Sequence, residues 1–258
     1  MSRIPLNHVG SIDVVDLTVI SRDHGRDFIP FPFMQTRDTG IPPEDFQTHA
    51  KAVIDRFHNG DLRCLRNWAG TYVRCDIRVE AHVQSMRPDM PSVRVVAHRM
   101  GEKGYFARQT DADIIEIFSL SPYDLGAAVA ESMGSVNPGS RPAIIVPEYQ
   151  APPNPAQGGG AGGVSVKSRA DNDEVAKVSR ADIAALATVQ SHWRPTRKWG
   201  VDRGKHAAVW VRVHGDGDYL YTANYSLAQP MSKIGLAQRI DRLIADDVAV
   251  LRQFRSGA

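Results

Sequence analysis

"IRVEAHV", residues 77–83, alternates without a break: Ile77, Val79, Ala81 and Val83 on one side, Arg78, Glu80 and His82 on the other. That period of two is the signature of a strand with two unlike faces. "SVRVVAHR" (92–99) repeats the pattern, with Val93, Val95 and Ala97 set against Arg94, Val96 and His98. "GYFARQ" (104–109) and "DIIEIFSL" (113–120) follow, joined by the turn-forming "TDAD". Four strands with short connections predict an antiparallel meander.

Working toward the N-terminus, the period lengthens to that of a helix. In "SIDVVDLTVISRDHG" (11–25), Val14, Leu17 and Ile20 form a stripe after Ser11 as the expected cap. "DFIPFPFM" (27–34) carries Pro30 and Pro32 at alternate positions, which suits an edge strand. "PPEDFQTHAKAVIDRFHNG" (42–60) reads as a helix on Phe46, Ala50, Val53, Ile54 and Phe57, and "DLRCLRNWAGTYV" (61–73) as a second.

Toward the C-terminus, "SPYDLGAAVAESMG" (121–134) predicts a short helix opened by Ser121 and Pro122, and "RPAIIVPEY" (141–149) an extended exit. Residues 149–173 are rich in Pro and Gly, with few apolar side chains. Beyond them, "VSRADIAALATVQSHW" (178–193) reads as a helix capped by Ser179, and "HAAVWVRVHGDGDYLYTANYSL" (206–227) as a hairpin turning at "GDGD". The closing helix spans "PMSKIGLAQRIDRLIADDVAVLRQF" (230–254), with Ile234, Ile240, Leu243, Ile244, Val248 and Leu251 as its apolar positions. Two helices and one hairpin make a marginal unit alone. The expectation is therefore one domain over 1–258, in α+β class: a central, largely antiparallel sheet flanked by helices, with quasi-two-fold organisation and a helical C-terminal part. Residues 1–148 form its first half, 149–173 a flexible loop and 174–258 its second half. Closing such a loop costs little more as it lengthens.

Composition narrows the function. A net charge of +2 demands no acidic partner, and Cys64 and Cys75 are too few for a disulfide scaffold and wrongly spaced for zinc. A reduced, cytoplasmic protein without a signal peptide or membrane span is expected. "HGDGDY" (214–219) brings His214, Asp216 and Asp218 together, but a hairpin turn requires the same residues. "HWRPTRKWGVDRGKH" (192–206) interleaves Trp193 and Trp199 with Arg194, Arg197, Lys198, Arg203 and Lys205, a pattern that suits a nucleic-acid strand or a solvated connection. No nucleophile elbow, phosphate loop or His-x-x-x-His pair is present. No catalytic residue, metal or cofactor is assigned.

Period two places Trp210 and Arg212 on the side of the sheet that also takes Arg78, Glu80 and Arg94. Phe106 joins them by alternating with Arg108. Large apolar groups among arginines suit the centre of a protein interface. Helices covering that face, with Trp210 buried, are the alternative.

"VVAHRMGEKGYFARQTDADIIEIFSLSPYDLGAAVAESMG" (95–134), followed by "PGSRPAIIVP" (138–147), resembles the core of the EspG family, the cytosolic chaperones of mycobacterial type VII (ESX) secretion. The likeness lies in the order of strand, charged turn, strand, turn, apolar strand and Pro-led helix. "FIPFPF" (28–33), the "GDL" boundary (60–62) and "IGLAQRIDRLIAD" (234–246) match in the same order, whereas "VHGDGDYLYTANY" (213–225) lacks a Gly-Arg-Tyr triplet of relatives. The resemblance implies a non-enzymatic chaperone that binds the helical tip of a PPE protein in a PE–PPE heterodimer. It would keep that tip soluble and direct it to its ESX system, without nucleic acid or membrane insertion, and it leaves a homodimer open. A nucleic-acid-binding regulator using 192–206 and a metal-dependent enzyme centred on "HGDGDY" are the rival readings.

Overall fold

The computed structural model describes residues 4–26, 29–149, 175–193, 200–202, 204–223 and 225–257. The Pro/Gly segment placed at 149–173 lies outside them except for Tyr149. The expected meander is present as β2 (Ile77–Ser85), β3 (Val93–Met100), β4 (Lys103–Gln109) and β5 (Ile114–Leu120). The remaining strands are β1 (Asn7–Asp13), β6 (Ala143–Ile145), β7 (Val175–Lys177), β8 (Ile183–Trp193), β9 (Ala208–Val213), β10 (Asp218–Tyr221) and β11 (Ala228–Pro230). All join one 11-stranded sheet in the order β1-β5-β4-β3-β2-β8-β9-β10-β11-β6-β7. Every pair is antiparallel except β6 with β7.

The quasi-two-fold arrangement is visible in that order. From the central β2–β8 pair, one half runs β3, β4, β5, β1 and the other β9, β10, β11, β6. Each half then ends in a helix: α4 (Leu125–Ser132) after β5 and α5 (Lys233–Ser256) after β11. The central pair stays in register from Ile77↔Trp193 to Ser85↔Ala185, so strands from both sides of residues 150–174 share one ladder.

Residues 183–193 form this central strand, where a helix was expected. Ser179 does cap, but it caps a 3-10 turn at Arg180–Asp182, its hydroxyl accepting from the Ala181 amide at 3.2 Å. The start of β8, Ile183–Ala187, is wholly apolar, and such a run does not separate a buried strand from a helix by period alone. The small Ala185 and Ala187, with Val189, face the core under α5.

Three smaller expectations are also corrected. Ser11 lies within β1, opposite Glu116, and the cap of α1 (Val14–Asp23) is Asp13, which accepts from the Val15 amide at 2.8 Å. "FPFM" forms no strand: Phe33 donates to the Pro30 carbonyl at 2.9 Å in a turn and buries its ring beneath α1 and α2. Pro30 and Pro32 have no amide proton to give a ladder. Ile234, at the start of α5, is exposed, while Leu236, Ile240, Leu243 and Leu251 carry the buried stripe.

The sheet is covered on both faces. One face, with Val79, Ala81, Val83, Val95, Ala97 and Val189, packs against α4 and α5. The other meets α1, α2 (Phe46–Asn59) and α3 (Arg66–Val73) over the first half, with Leu17, Phe57, Trp68 and Tyr72 buried. Over the second half a smaller cluster forms around Ile144, Val178, Val211 and Tyr219.

Candidate functional site

The six expected interface residues do not share a face. Trp210 stands opposite Ala187 on β8, and Ala187 opposite Val83 on β2, which puts the indole on the α4/α5 side. Arg212, opposite Ala185, and Phe106, opposite Ala97, lie on the same side. Glu80 is opposite Gln190 and Val96, Arg78 opposite His192 and His98, and Arg94 opposite His82, all on the α1–α3 side. Alternation assigns sides within a strand, but register alone relates the sides of neighbouring strands.

Four of the six are sealed by this chain's own elements. Trp210 is 2% exposed and Phe106 is buried in the same cluster. Arg78 and Glu80 are 7% and 3% exposed. Their ion pair spans 2.9 Å between Nη2 and Oε1, Arg78 Nη1 donates to the Tyr72 hydroxyl at 3.0 Å, and His192 Nε2 stands 3.4 Å from Glu80 Oε2. Beside them His98 is fully buried, with Nε2 3.0 Å from Thr71 Oγ1 and its ring stacked on Tyr105.

Burial, and then the charge on Arg78, push His98 down from its ordinary 6.5 to about 3. The folded state thus resists a proton that the unfolded chain accepts. The contribution is whole above pH 6.5 and is lost as pH falls toward 3. Urea unfolding of wild type and His98→Gln should show the stability gap between them narrowing across that window; a gap that stays constant would contradict a neutral buried imidazole.

Arg212 is committed to the turn. Its Nε and Nη2 hold both carboxylate oxygens of the buried Asp218, at 2.9 and 3.1 Å. Asp218 also accepts from the Asn137 amide, while Asp216 accepts from the Ser140 amide and the Tyr219 hydroxyl. The acids of "HGDGDY" therefore tie the hairpin to residues 137–140, and among the described residues no group of His, Cys, Asp and Glu is placed to hold a metal ion. Of the basic stretch, Arg194, Arg197, Lys198, Trp199 and Arg203 lie outside the described residues. Trp193 ends β8, and Lys205 donates to the Ser191 carbonyl and to Asp247.

The open surface lies elsewhere. A groove of about 430 Å³ runs between α5 and the turn that leads into α4. Tyr123 stands on its border, 75% exposed, and Leu125, Ile244, Ala245, Val248 and Ala249 line it, with Arg99, Asp241 and Arg252 adding charge. A second recess of about 540 Å³ lies by α4, where Phe106 meets Phe118, Arg108, Glu131 and residues 4–6. A third, of about 330 Å³, is acidic, but Asp16 is already paired with His49 and Arg56, and Asp113 accepts from the amides of Thr36 and Arg37. Sequence reasoning passed over the α5 groove. Its signals were Tyr123, an aromatic beside Pro122 in a turn, and the spacing of Asp241, Ala245, Ala249 and Arg252 along the outer side of α5.

No protein-family model matches the chain. No curated protein matches it either. The chain is similar in fold to a type VII secretion chaperone. That structure is of Mycobacterium tuberculosis EspG5 in complex with a PE25–PPE41 dimer, and the similarity covers 91% of this chain and 95% of EspG5, at a TM-score of 0.46 and 15% sequence identity. Among the described residues, no helix is long and apolar enough to cross a membrane.

Proposed function

We propose that the chain is a non-enzymatic, cytoplasmic chaperone of type VII secretion. It holds the helical tip of a PPE protein within a PE–PPE heterodimer, keeps it soluble and directs it to its ESX system. The ordered sequence likeness over 95–147 and 234–246 supports the family. The observation that carries a binding role is the α5 groove, lined by the exposed Tyr123 together with Ile244 and Val248. An exposed aromatic at an apolar groove suits a partner that brings apolar side chains of its own. Arg99, Asp241 and Arg252 at the groove would add partner choice more than affinity. In this reading the two halves act as one domain, which is supported by a groove built by α5 from one half and by Tyr123 and Leu125 from the other.

The test is co-expression with candidate PE–PPE pairs, read by size-exclusion chromatography. A complex with one copy of each chain is expected. Tyr123→Ala with Val248→Glu should weaken it by about 30-fold or more, the scale of a lost hot spot of ~2 kcal/mol. An unchanged melting temperature would show that the variant still folds. Retained affinity in the folded variant would move docking off this groove, and no complex with any pair would remove the chaperone reading.

A further inference from the structure

On the α1–α3 side of the sheet a polar row crosses three strands. Thr188 on β8 stands opposite His82 on β2, and His82 opposite Arg94 on β3. Opposed Cβ atoms on paired strands are about 4.5–5.5 Å apart, and basic groups so placed disfavour one another when charged. Four residues back along β2, the other basic residue on this side gives both Nη atoms to partners, Arg78 to Glu80 and to the Tyr72 hydroxyl, with only its Nε left over. His82 and Arg94 have no such supply. Arg94 Nε and His82 Nε2 are buried without a hydrogen-bond partner. Arg94 Nη2 meets the Met34 sulfur at 3.1 Å, and a thioether is a weak acceptor. The nearby carboxylate, on Asp113, is engaged by the Thr36 hydroxyl and the amides of Thr36 and Arg37.

We infer that Arg94, His82 and Thr188 form a site for an oxyanion. The Arg94 guanidinium supplies the charge and an Nε–H donor, His82 donates from Nε2–H in that tautomer, and the Thr188 hydroxyl completes the set. Burial, and then the charge of Arg94, push His82 down to about 4, so the ring enters as a neutral donor at neutral pH. A charged donor left without an acceptor in partly dry surroundings is costly, and an oxyanion removes that cost. Phe31, edge-on to His82 at 6.1 Å, and Met34, 43% exposed, give the site an apolar border. The site is on the opposite side of the sheet from the α5 groove, so it stands apart from the function proposed above. The same chemistry serves free phosphate or a carboxylate carried by a partner chain.

The experiment uses the full chain, labelled for NMR, at pH 7. Sodium phosphate and sodium acetate are titrated in turn at constant ionic strength, following the His82 ring and the Arg94 Nε–H. Saturable shifts at both residues are expected, lost in Arg94→Gln. The variant should melt no lower than wild type without added oxyanion, because it removes a desolvated charge rather than a partner. Saturation by phosphate near or below about 1 mM, with acetate far weaker, would identify free phosphate as the source. Similar, weaker binding of both would identify a carboxylate brought by a partner. Absence of saturable shifts in the wild type, or shifts that persist in Arg94→Gln, would overturn the inference.

Discussion

Trp210→Ala is expected to lower the free energy of unfolding by about 3–5 kcal/mol, the range for a large aromatic removed from a core. The indole lies 2% exposed between the sheet and α5, in the cluster that also holds Ala187, Val189, Leu236 and Ile240. Little collapse can follow, because its flanking residues Ala187 and Leu220 are fixed by ladder register. The measurement is urea unfolding monitored by far-UV circular dichroism. A loss below about 1 kcal/mol would mean that the indole is not a packed core residue. A partner assay on this variant would report stability, so surface variants at Tyr123 and Val248 are the ones that report on docking.

The second large effect lies in the buried ion pair. Arg78→Met should cost about 3–5 kcal/mol, because it leaves the Glu80 carboxylate buried and without its guanidinium. Glu80 is 3% exposed, and its remaining neighbour is His192 at 3.4 Å. The Tyr72 hydroxyl loses a donor in the same step. Arg78→Met combined with Glu80→Leu removes both charges and should recover most of that loss, since an apolar replacement of a buried pair is often neutral or better. The two unfolding curves, read against wild type, form the test. A double variant no more stable than Arg78→Met alone would show that the pair is not what sets the cost.

Neither effect could be assigned from the sequence, although both residues were singled out there. Alternation in "IRVEAHV" and "AAVWVRV" correctly marked residues of opposite sides within each strand. It could not say that the Trp210 side of β9 continues the Val83 side of β2, because β8 lies between them and was read as a helix. The α5 groove was hidden for a related reason: it joins residues 122–125 to 241–252, and no local pattern records that approach.

The sequence by itself determined the elements whose periodicity is sharp. These are the β2–β5 meander, α2, the β9–β10 hairpin at "GDGD" and α5, together with the α+β class. In each of them apolar and polar residues follow the period of the element, and that period is legible whether the polar side stays open or, as with Arg78 and Glu80, is covered and paired. The tertiary structure alone decided β8, the strand that joins the two halves, and with it which residues are covered. Its first residues, Ile183–Ala187, are wholly apolar and carry no alternation, and its alanines answer to α5, which lies far along the chain. Side chains such as Arg78, Glu80 and Trp210 look like surface groups until pairing places a partner or a helix over them. Pairing is long-range, and the free energy that selects it lies in contacts between segments, not within them.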